Sequence, residues 1–149
     1  LVGSEMCIRD RNKDYRTYTL LGDGEIQEGQ VWEASMLASH RKLDNLIAFT
    51  DCNRMQIDGT VDEVCSLGDL DAKWSAFGWF VQRIDGHNCD AIYDAVLKAK
   101  AQKGRPSMIL LDTVKGKGVS FAIEAGVGCH SMNVSKEQYE SAMRELSEG

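Results

Sequence analysis

The stretch Tyr-Thr-Leu-Leu-Gly-Asp-Gly at residues 18–24 places an acidic turn directly after a short apolar run. A second apolar run, residues 46–50, ends just before Asp51-Cys52-Asn53, so Asp23 and Asn53 lie thirty residues apart. Parallel strands are joined by a crossover connection, and one such β–α–β unit needs roughly 30 residues or more. The spacing therefore predicts two neighbouring parallel strands whose carboxyl ends carry Asp23 and Asn53.

These two residues offer a carboxylate and an amide oxygen at the crevice where open parallel sheets bind ligands. Mg2+ takes about six oxygen ligands near 2.1 Å, and proteins commonly hold it through one or two groups together with substrate phosphates and water. One Asp, one Asn and a loop carbonyl would leave room for a diphosphate. A plain surface turn is the alternative for Gly-Asp-Gly taken alone, because Asp-Gly is ordinary turn chemistry.

Together the residues resemble the diphosphate-binding motif of thiamine-diphosphate enzymes. The run Gly-Asp-Gly-Glu-Ile-Gln-Glu-Gly-Gln-Val-Trp-Glu-Ala at residues 22–34 is similar to transketolase in particular, as is Asp-Cys-Asn-Arg-Met-Gln-Ile-Asp-Gly at residues 51–59. The resemblance starts near Lys13 and runs to the end of the sequence. It implies an α/β fold, a parallel sheet with helices on both faces, forming an incomplete diphosphate-binding domain over residues 12–149.

The resemblance also assigns roles around the cofactor. It implies that Asp23 and the side-chain oxygen of Asn53 bind Mg2+, with the backbone carbonyl of Met55 as a third protein ligand. Gly24 would let the backbone approach the diphosphate closely, and a positive-φ turn is a second use for this glycine. Glu28 resembles a catalytic-site glutamate that is buried and links two cofactor sites across a dimer. The alternative for Glu28 is an acid at a helix N-terminus, which the helix macrodipole favours.

Two further candidates come from the C-terminal third. Lys115, in the loop Lys-Gly-Lys-Gly at residues 115–118, matches a lysine that contacts the diphosphate as a point charge. Lys117 in that role and a solvated basic loop are the alternatives. His130 resembles a catalytic histidine that contacts the diphosphate and the substrate, where an imidazole can donate to an oxyanion or shuttle a proton. Cys129-His130-Ser131 stands where many family members carry Trp-His-Gly, and a surface histidine is the alternative.

The activity that the resemblance implies is the transfer of a two-carbon ketol unit from a ketose phosphate to an aldose phosphate, with thiamine diphosphate and Mg2+, as in the pentose phosphate pathway. Its implied partner is a C-terminal transketolase subunit or domain, in a homodimer or heterotetramer, and the fragment is expected to be inactive alone. The alternatives are another thiamine-diphosphate enzyme, such as a deoxyxylulose-phosphate synthase or a 2-oxo-acid dehydrogenase E1 component, and a non-catalytic binding subunit.

Composition narrows the class of protein. A formal net charge of -6 disfavours nucleic acid as a partner. The sequence contains no run of 18 apolar residues, so no membrane span is expected. The five cysteines are an odd number without zinc-like spacing, which is typical of reduced thiols in a cytoplasmic protein. Residues 1–11 have no counterpart in the transketolase pattern, and we interpret them as a foreign segment.

Hydrophobic runs and punctuating residues predict the order of elements. Strands are expected at residues 15–21, 46–50, 79–84 and 107–113, and helices at residues 28–41, 69–77 and 89–103. A last helix begins at Ser135, where Ser135 and Gln138 have capping-box spacing. Small residues at positions 31, 34, 35 and 38 would suit close packing under a cofactor or against a partner helix. Residues 52–67 are expected to form a long loop, whose length is typical of a functional segment.

Overall fold

A computed structural model describes residues 10–11 and 13–148 of the 149-residue chain. Its main sheet contains four parallel strands in the order β1-β2-β6-β5. They are β1 (Thr17–Gly22), β2 (Leu46–Cys52), β5 (Phe80–Asp85) and β6 (Ser107–Asp112). The interpretation of residues 1–11 as a foreign segment falls almost wholly outside the described residues and stays a prediction.

The parallel register brings the ends of the strands to one edge. Gly22 at the end of β1 is opposite Asp51 of β2, and Cys52 is opposite Asp112 of β6. Asp112 is in turn opposite Asp85 of β5. The predicted strands are confirmed, with ends that shift by one or two residues. The loops that leave this carboxyl edge therefore meet above it, as the spacing of Asp23 and Asn53 predicts.

One face of the sheet is covered by α1 (Gly29–His40) and α3 (Leu70–Ala76). Three tryptophans fill the space between them: the Trp32 and Trp74 ring centroids lie 4.9 Å apart, and those of Trp74 and Trp79 lie 5.0 Å apart. The small-residue face of α1 packs here, with Ser35 and Ala38 buried and the Trp79 indole donating to the Ser35 carbonyl at 3.1 Å. Within the described chain part of this face thus contacts aromatic side chains of its own domain, and its packing under a cofactor or against a partner helix stays a prediction.

The other face of the sheet is covered by α4 (Cys89–Ala101). Ala95 and Ala99 of this helix form a buried cluster with Ile47 and Ile109 of the two central strands. Asn88 caps the helix, because its side chain accepts a hydrogen bond from the Ala91 N–H at 3.0 Å. Helices thus lie on both faces of a parallel sheet, which confirms the predicted fold class.

The expected long loop at residues 52–67 is wrong in part. It contains a two-stranded antiparallel hairpin, β3 (Met55–Gln56) and β4 (Gly59–Thr60), followed by α2 (Val61–Cys65). Thr60 and Glu63 form a reciprocal capping box at the start of α2. This Thr-x-x-Glu spacing is a helix-start signal that the expectation of a loop overlooks. The segment is therefore regular secondary structure, and the Met55 N–H donates to the side-chain oxygen of Asn53, just beyond β2.

The chain after β6 forms a glycine-rich loop, then α5 (Ser120–Glu124), a 3-10 helix (Gly126–Ser131) and α6 (Lys136–Glu148). The predicted capping box of α6 is confirmed: the Gln138 N–H donates to Ser135 Oγ at 3.2 Å, and the Ser135 N–H donates to Gln138 Oε1 at 2.9 Å. Glu145 of α6 accepts hydrogen bonds from both the N–H and the hydroxyl of Ser120 at 2.7 Å. These two bonds attach α6 to α5. No helix in the described part of the chain has the length and hydropathy needed to cross a bilayer.

Candidate metal and diphosphate site

The centre of the site is the carboxylate of Asp23, which follows β1 and is only 3 % exposed. Its two oxygens accept backbone hydrogen bonds, Oδ1 from the Gly24 N–H at 2.8 Å and Oδ2 from the Arg54 N–H at 2.5 Å. Burial raises the pKa of Asp23, the two N–H donors lower it, and the nearby Asp51 carboxylate raises it further. No ion pair to a basic side chain is found for Asp23 in the residues that the structure describes. A buried carboxylate without a basic partner fits a bound cation, because an uncompensated buried charge is costly.

Asn53 stands beside Asp23 at the end of β2. Its side-chain nitrogen donates to Asp51 Oδ2 at 2.8 Å, and its side-chain oxygen accepts from the Met55 N–H at 2.9 Å. The backbone joins the same two strands, because the Asp23 N–H donates to the Asp51 carbonyl at 3.1 Å. The structure therefore brings Asp23 and Asn53 to neighbouring strand ends, as their spacing predicts.

Gly24 contacts the hairpin that carries Met55. An added Cβ at Gly24 would lie 2.8 Å from the Cβ of Gln56, so the position has no room for a side chain. The expectation of a positive φ is wrong: Gly24 has φ -64° and ψ -36°, a conformation open to every residue. Close approach to Gln56, and not a positive φ, is what the described chain shows at this glycine, and its role towards the diphosphate stays a prediction.

Met55 connects this loop to the C-terminal candidates. β3 packs against the 3-10 helix that contains His130, and a Cβ added at Gly126 would lie 4.0 Å from Met55 Cε. His130 is exposed, and its Nδ1 lies 3.5 Å from Nζ of Lys115, which is half-buried. The glycine-rich loop and the histidine thus meet, although they are fifteen residues apart. Lys117 is exposed and lines a space of about 410 Å3 with Asp85, His87 and Asp112, and this space also borders Cys52 and Arg54 beside Asp23.

Glu28 is placed at the N-cap of α1, without a side-chain capping bond. The side chain is exposed, so the buried environment that the resemblance implies is not present within the described chain. The backbone conformation at Glu28, φ -69° and ψ 129°, is the extended one that N-cap residues adopt. Its position at a helix N-terminus agrees with the alternative interpretation, and an exposed side chain is also free to meet another subunit.

Three residues to which the sequence analysis assigns no role shape the site. Asp51 holds the Asn53 amide, and the hydroxyl of Thr113 donates to the other oxygen of Asp51. His87 accepts a hydrogen bond at Nε2 from the Val114 N–H at 2.8 Å, which fixes the start of the glycine-rich loop. The sequence carries no local signal for the contacts of Asp51 with Thr113 and of His87 with Val114, because these partners are 62 and 27 residues apart.

The Arg83 guanidinium lies in the polar surroundings of Asp23 and is paired with two other carboxylates. Arg83 of β5 binds Asp71 of α3 at 2.7 Å and Asp112 of β6 at 2.6 Å. A cavity of about 230 Å3 lies between Asp23, Cys52, Arg54 and Arg83. Arg83 thus joins α3 to the sheet, and its charge is balanced by two carboxylates instead of by Asp23.

A doubly wound parallel sheet with a buried acid and an amide at its carboxyl edge defines a ligand-binding α/β domain. The family is decided by comparison: residues 9–146 match the family model described as "Transketolase, thiamine diphosphate binding domain". The chain belongs to this family.

Individual relatives agree with the family assignment. The chain is 51 % identical over 145 residues to the 6-deoxy-6-sulfo-D-fructose transketolase subunit of Clostridium sp. (strain MSTE9), covering 97 % of the chain and 52 % of that protein. It is 42 % identical to an apulose-4-phosphate transketolase subunit of Phocaeicola vulgatus, covering 99 % of the chain and 52 % of that protein. The chain therefore spans about half the length of these curated relatives.

The fold has close counterparts among crystal structures. The transketolase of Campylobacter jejuni superposes with a TM-score of 0.84 at 28 % sequence identity, over 98 % of this chain and 24 % of that one. A transketolase of Pichia stipitis superposes with a TM-score of 0.72 at 31 % identity, over 91 % of this chain and 23 % of that one. The four-stranded sheet and its helices are thus those of the thiamine-diphosphate-binding domain of transketolase.

Proposed function

We propose that this chain supplies the metal–diphosphate half of an enzyme that transfers a two-carbon ketol unit from a ketose phosphate to an aldose phosphate. The observation that carries the proposal is the Asp23 carboxylate, buried at the carboxyl edge next to Asn53 and without a basic partner among the described residues. Membership of a thiamine-diphosphate-binding family supports a diphosphate as the ligand that completes the site.

The donor set fits Mg2+ better than a soft metal. Asp23 offers a carboxylate oxygen, Asn53 an amide oxygen and Met55 a backbone carbonyl, and hard cations prefer such oxygen ligands. In the described part of the chain no group of three histidine, cysteine or acidic side chains converges on one point, so a closed protein cage is absent. An open site of this kind leaves positions for diphosphate oxygens and water.

The other residues have roles that follow from their places. Lys115 Nζ would offset diphosphate charge, because an ammonium acts as a point charge towards phosphate. His130, 3.5 Å from Lys115 and exposed, would donate to the substrate oxygen that becomes negative or carry a proton to and from it. Thiamine diphosphate, when bound, stores the electron pair of the carbon–carbon bond that breaks, and the chain's own residues orient the reactants.

Partner and substrate belong to the same proposal. Two relatives with about twice the length of this chain bear the name of a transketolase subunit, which supports a C-terminal partner subunit in a heterotetramer or a homodimer of longer chains. Glu28, exposed at the start of α1, would become buried against another subunit, where it would link two cofactor sites. We place the assembled enzyme in the cytoplasm, with its cysteines reduced. A 6-deoxy-6-sulfo ketose is a second candidate donor, because a relative named for that sugar is 51 % identical.

Isothermal titration of thiamine diphosphate with Mg2+, on the complete subunit with its C-terminal partner, tests the site. Asp23→Ala and Asn53→Ala should each weaken binding by more than about 100-fold, because even residues that only support a metal ligand are worth about 10–100-fold. Asp58→Ala, an exposed acid in the turn between β3 and β4, is the matched control and should bind like wild type. Unchanged binding in both site variants would refute the assignment.

Activity separates the catalytic and non-catalytic interpretations. Ketol transfer should appear only when the C-terminal partner, thiamine diphosphate and Mg2+ are all present, first with ketose phosphates and then with the 6-deoxy-6-sulfo ketose. Tight, Mg2+-dependent cofactor binding without ketol transfer from any of these donors would favour a non-catalytic binding subunit or another thiamine-diphosphate reaction.

A further inference from the structure

Asp51 is the one acidic side chain that contacts the Asn53 amide among the described residues. Its Oδ2 accepts a hydrogen bond from Asn53 Nδ2 at 2.8 Å. An ionised carboxylate has acceptors only, so the amide group that faces it must be the NH2 end. The opposite end of the amide, Oδ1, is therefore directed away from Asp51 and accepts from the Met55 N–H at 2.9 Å. The hydrogen-bond network thus decides which way the Asn53 side chain is turned.

The carboxylate of Asp51 is itself held in place. Its second oxygen, Oδ1, accepts a hydrogen bond from the hydroxyl of Thr113, which follows β6. The backbone of Asp51 is fixed as well, because its residue pairs with Gly22 of β1 on one side and with Leu111 of β6 on the other. Two strands and two side chains therefore determine the orientation of one carboxylate in the middle of the carboxyl edge.

We propose that Asp51, held by Thr113, is a positioning residue for the cation site: it holds the Asn53 nitrogen and, together with the Met55 N–H, fixes the amide so that its oxygen is offered to the cation. This inference rests on the proposed function, in which Asn53 is a metal ligand. An amide that is held less firmly can rotate by 180° and present its NH2 group, which does not bind a hard cation.

The substitution Asp51→Asn weakens this hold with little change in shape. The new amide can still accept from the Asn53 NH2 group while its own NH2 group donates to the Thr113 hydroxyl, because a hydroxyl accepts as well as donates. A neutral amide oxygen accepts a weaker hydrogen bond than a carboxylate, so the Asn53 amide is held less firmly and its oxygen is offered to the cation for less of the time. Because outer partners of metal ligands are typically worth about 10–100-fold in affinity, Mn2+ binding should weaken by about that factor.

Thr113 provides an independent pair of variants. Thr113→Val removes the hydroxyl that holds Asp51 and keeps the branched shape, so Mn2+ affinity should fall about 3–10-fold, less than in Asp51→Asn, because Asp51 keeps its bond to Asn53. Thr113→Ser keeps the hydroxyl, so its Mn2+ affinity should stay within about 2-fold of wild type. Asp62→Asn is the charge control: Asp62 lines the same cavity as Asp23, and its carboxylate bonds Ser66, not Asn53. Its Mn2+ affinity should stay within about 2-fold of wild type.

The experiment is an electron paramagnetic resonance titration of free Mn2+ with the complete subunit, its C-terminal partner and saturating thiamine diphosphate. Thermal unfolding of each variant reports whether the fold is intact. Ketol transfer provides a second measure: the Mn2+ concentration needed for half-maximal rate should rise in Asp51→Asn and Thr113→Val, whereas kcat at saturating Mn2+ should change by less than about 3-fold. A general loss of structure would lower kcat at every Mn2+ concentration.

Asn53→Ala separates this inference from the proposed function. If Asn53→Ala binds Mn2+ like wild type, Asn53 is not a ligand and the proposed site fails. If Asn53→Ala binds weakly while Asp51→Asn and Thr113→Val behave like Asp62→Asn, the site stands and the positioning role of Asp51 is overturned. Should Asp51→Asn not fold, the contrast between Thr113→Val and Thr113→Ser decides, and equal affinities in these two variants overturn the proposal.

Discussion

Asp23 accepts the backbone N–H of Arg54 at 2.5 Å, so the two halves of the predicted cation motif are joined directly, without a ligand. The donor residue has an unusual backbone conformation, because Arg54 has φ 61° and is not a glycine. The left-handed region costs an ordinary residue roughly 1–2 kcal/mol. Asp23 therefore holds in place a strained residue of the neighbouring loop.

The strain at Arg54 predicts an order of stability between two truncations. Arg54→Gly and Arg54→Ala both remove the side chain and keep the N–H that binds Asp23, but only glycine adopts a positive φ without steric cost. The glycine variant should therefore be more stable than the alanine variant by about 1 kcal/mol in urea unfolding. The same pair at Arg41, which ends α1 with φ -79°, is the control and should favour alanine. Equal stability of the two Arg54 variants would show that the positive φ is not maintained in solution.

The cysteine next to Asn53 should be unreactive. Cys52 is 7 % exposed, and burial raises the pKa of its thiol to about 11. Because the thiolate is the nucleophile, iodoacetamide at pH 8 should label the exposed Cys65 and Cys89 and leave Cys52 unmodified until the protein is unfolded. Peptide mass spectrometry checks the order, and early labelling of Cys52 in native protein would contradict it.

The same thiol affects stability in alkaline solution. The pKa of the Cys52 thiol is raised from its ordinary value of 9.0, which applies to the unfolded chain, to about 11 in the folded protein. Between these two pH values the folded state therefore holds the thiol proton more firmly than the unfolded state. Stability must therefore fall as the pH rises through this window. Cys52→Ala should remove this part of the decline between pH 9 and pH 11, as urea unfolding at a series of pH values would measure.

How much of this site the sequence predicts can be seen at Asp23 and Asn53. Their placement follows from strand spacing and parallel register, both of which are local or periodic properties of the chain. The hairpin at residues 55–60 and α2 are not predicted, although Thr60 and Glu63 carry a capping-box signal, because the length of the segment favours a loop. The contact of Asp51 with Thr113 joins residues 62 apart, and only the assembled sheet brings them together.

A pH-dependent contact connects α6 to the rest of the domain. Ser120 bonds to the Glu145 carboxylate and lowers its pKa below the usual 4.5. A carboxyl with a lowered pKa in the folded state stabilises that state above its unfolded pKa, and this contribution is lost as the pH falls through the folded value. Hydrogen exchange of the Ser120 amide should therefore become faster, relative to its intrinsic rate, below about pH 4.5, the ordinary pKa of a glutamate side chain.

Substitution of the carboxylate should give the same loss at neutral pH. In Glu145→Gln the Ser120 amide should exchange faster at about pH 7, because a neutral amide oxygen accepts a weaker hydrogen bond than a carboxylate. Glu140→Gln is the matched control, since Glu140 lies on the same helix and pairs only distantly with Lys136, at 3.9 Å. Equal protection of Ser120 in wild type and Glu145→Gln would show that α6 is not attached through this bond.

Gly24 has two explanations that a pair of variants can separate. Its conformation is open to alanine, but an alanine Cβ would lie 2.8 Å from the Gln56 Cβ, so Gly24→Ala should destabilise the fold by about 1–3 kcal/mol through overpacking. Gln56→Gly removes the opposing Cβ, and the double variant should therefore be more stable than the sum of the single effects predicts. Gln56→Ala keeps the Cβ and also loses the bond from Gln27, so it should give no such recovery.

Cofactor titration of the same variants then decides the role of Gly24. If diphosphate binding returns together with stability in the double variant, Gly24 serves only to fit against Gln56. If the fold recovers and diphosphate binding does not, the missing side chain at Gly24 is required by the ligand itself.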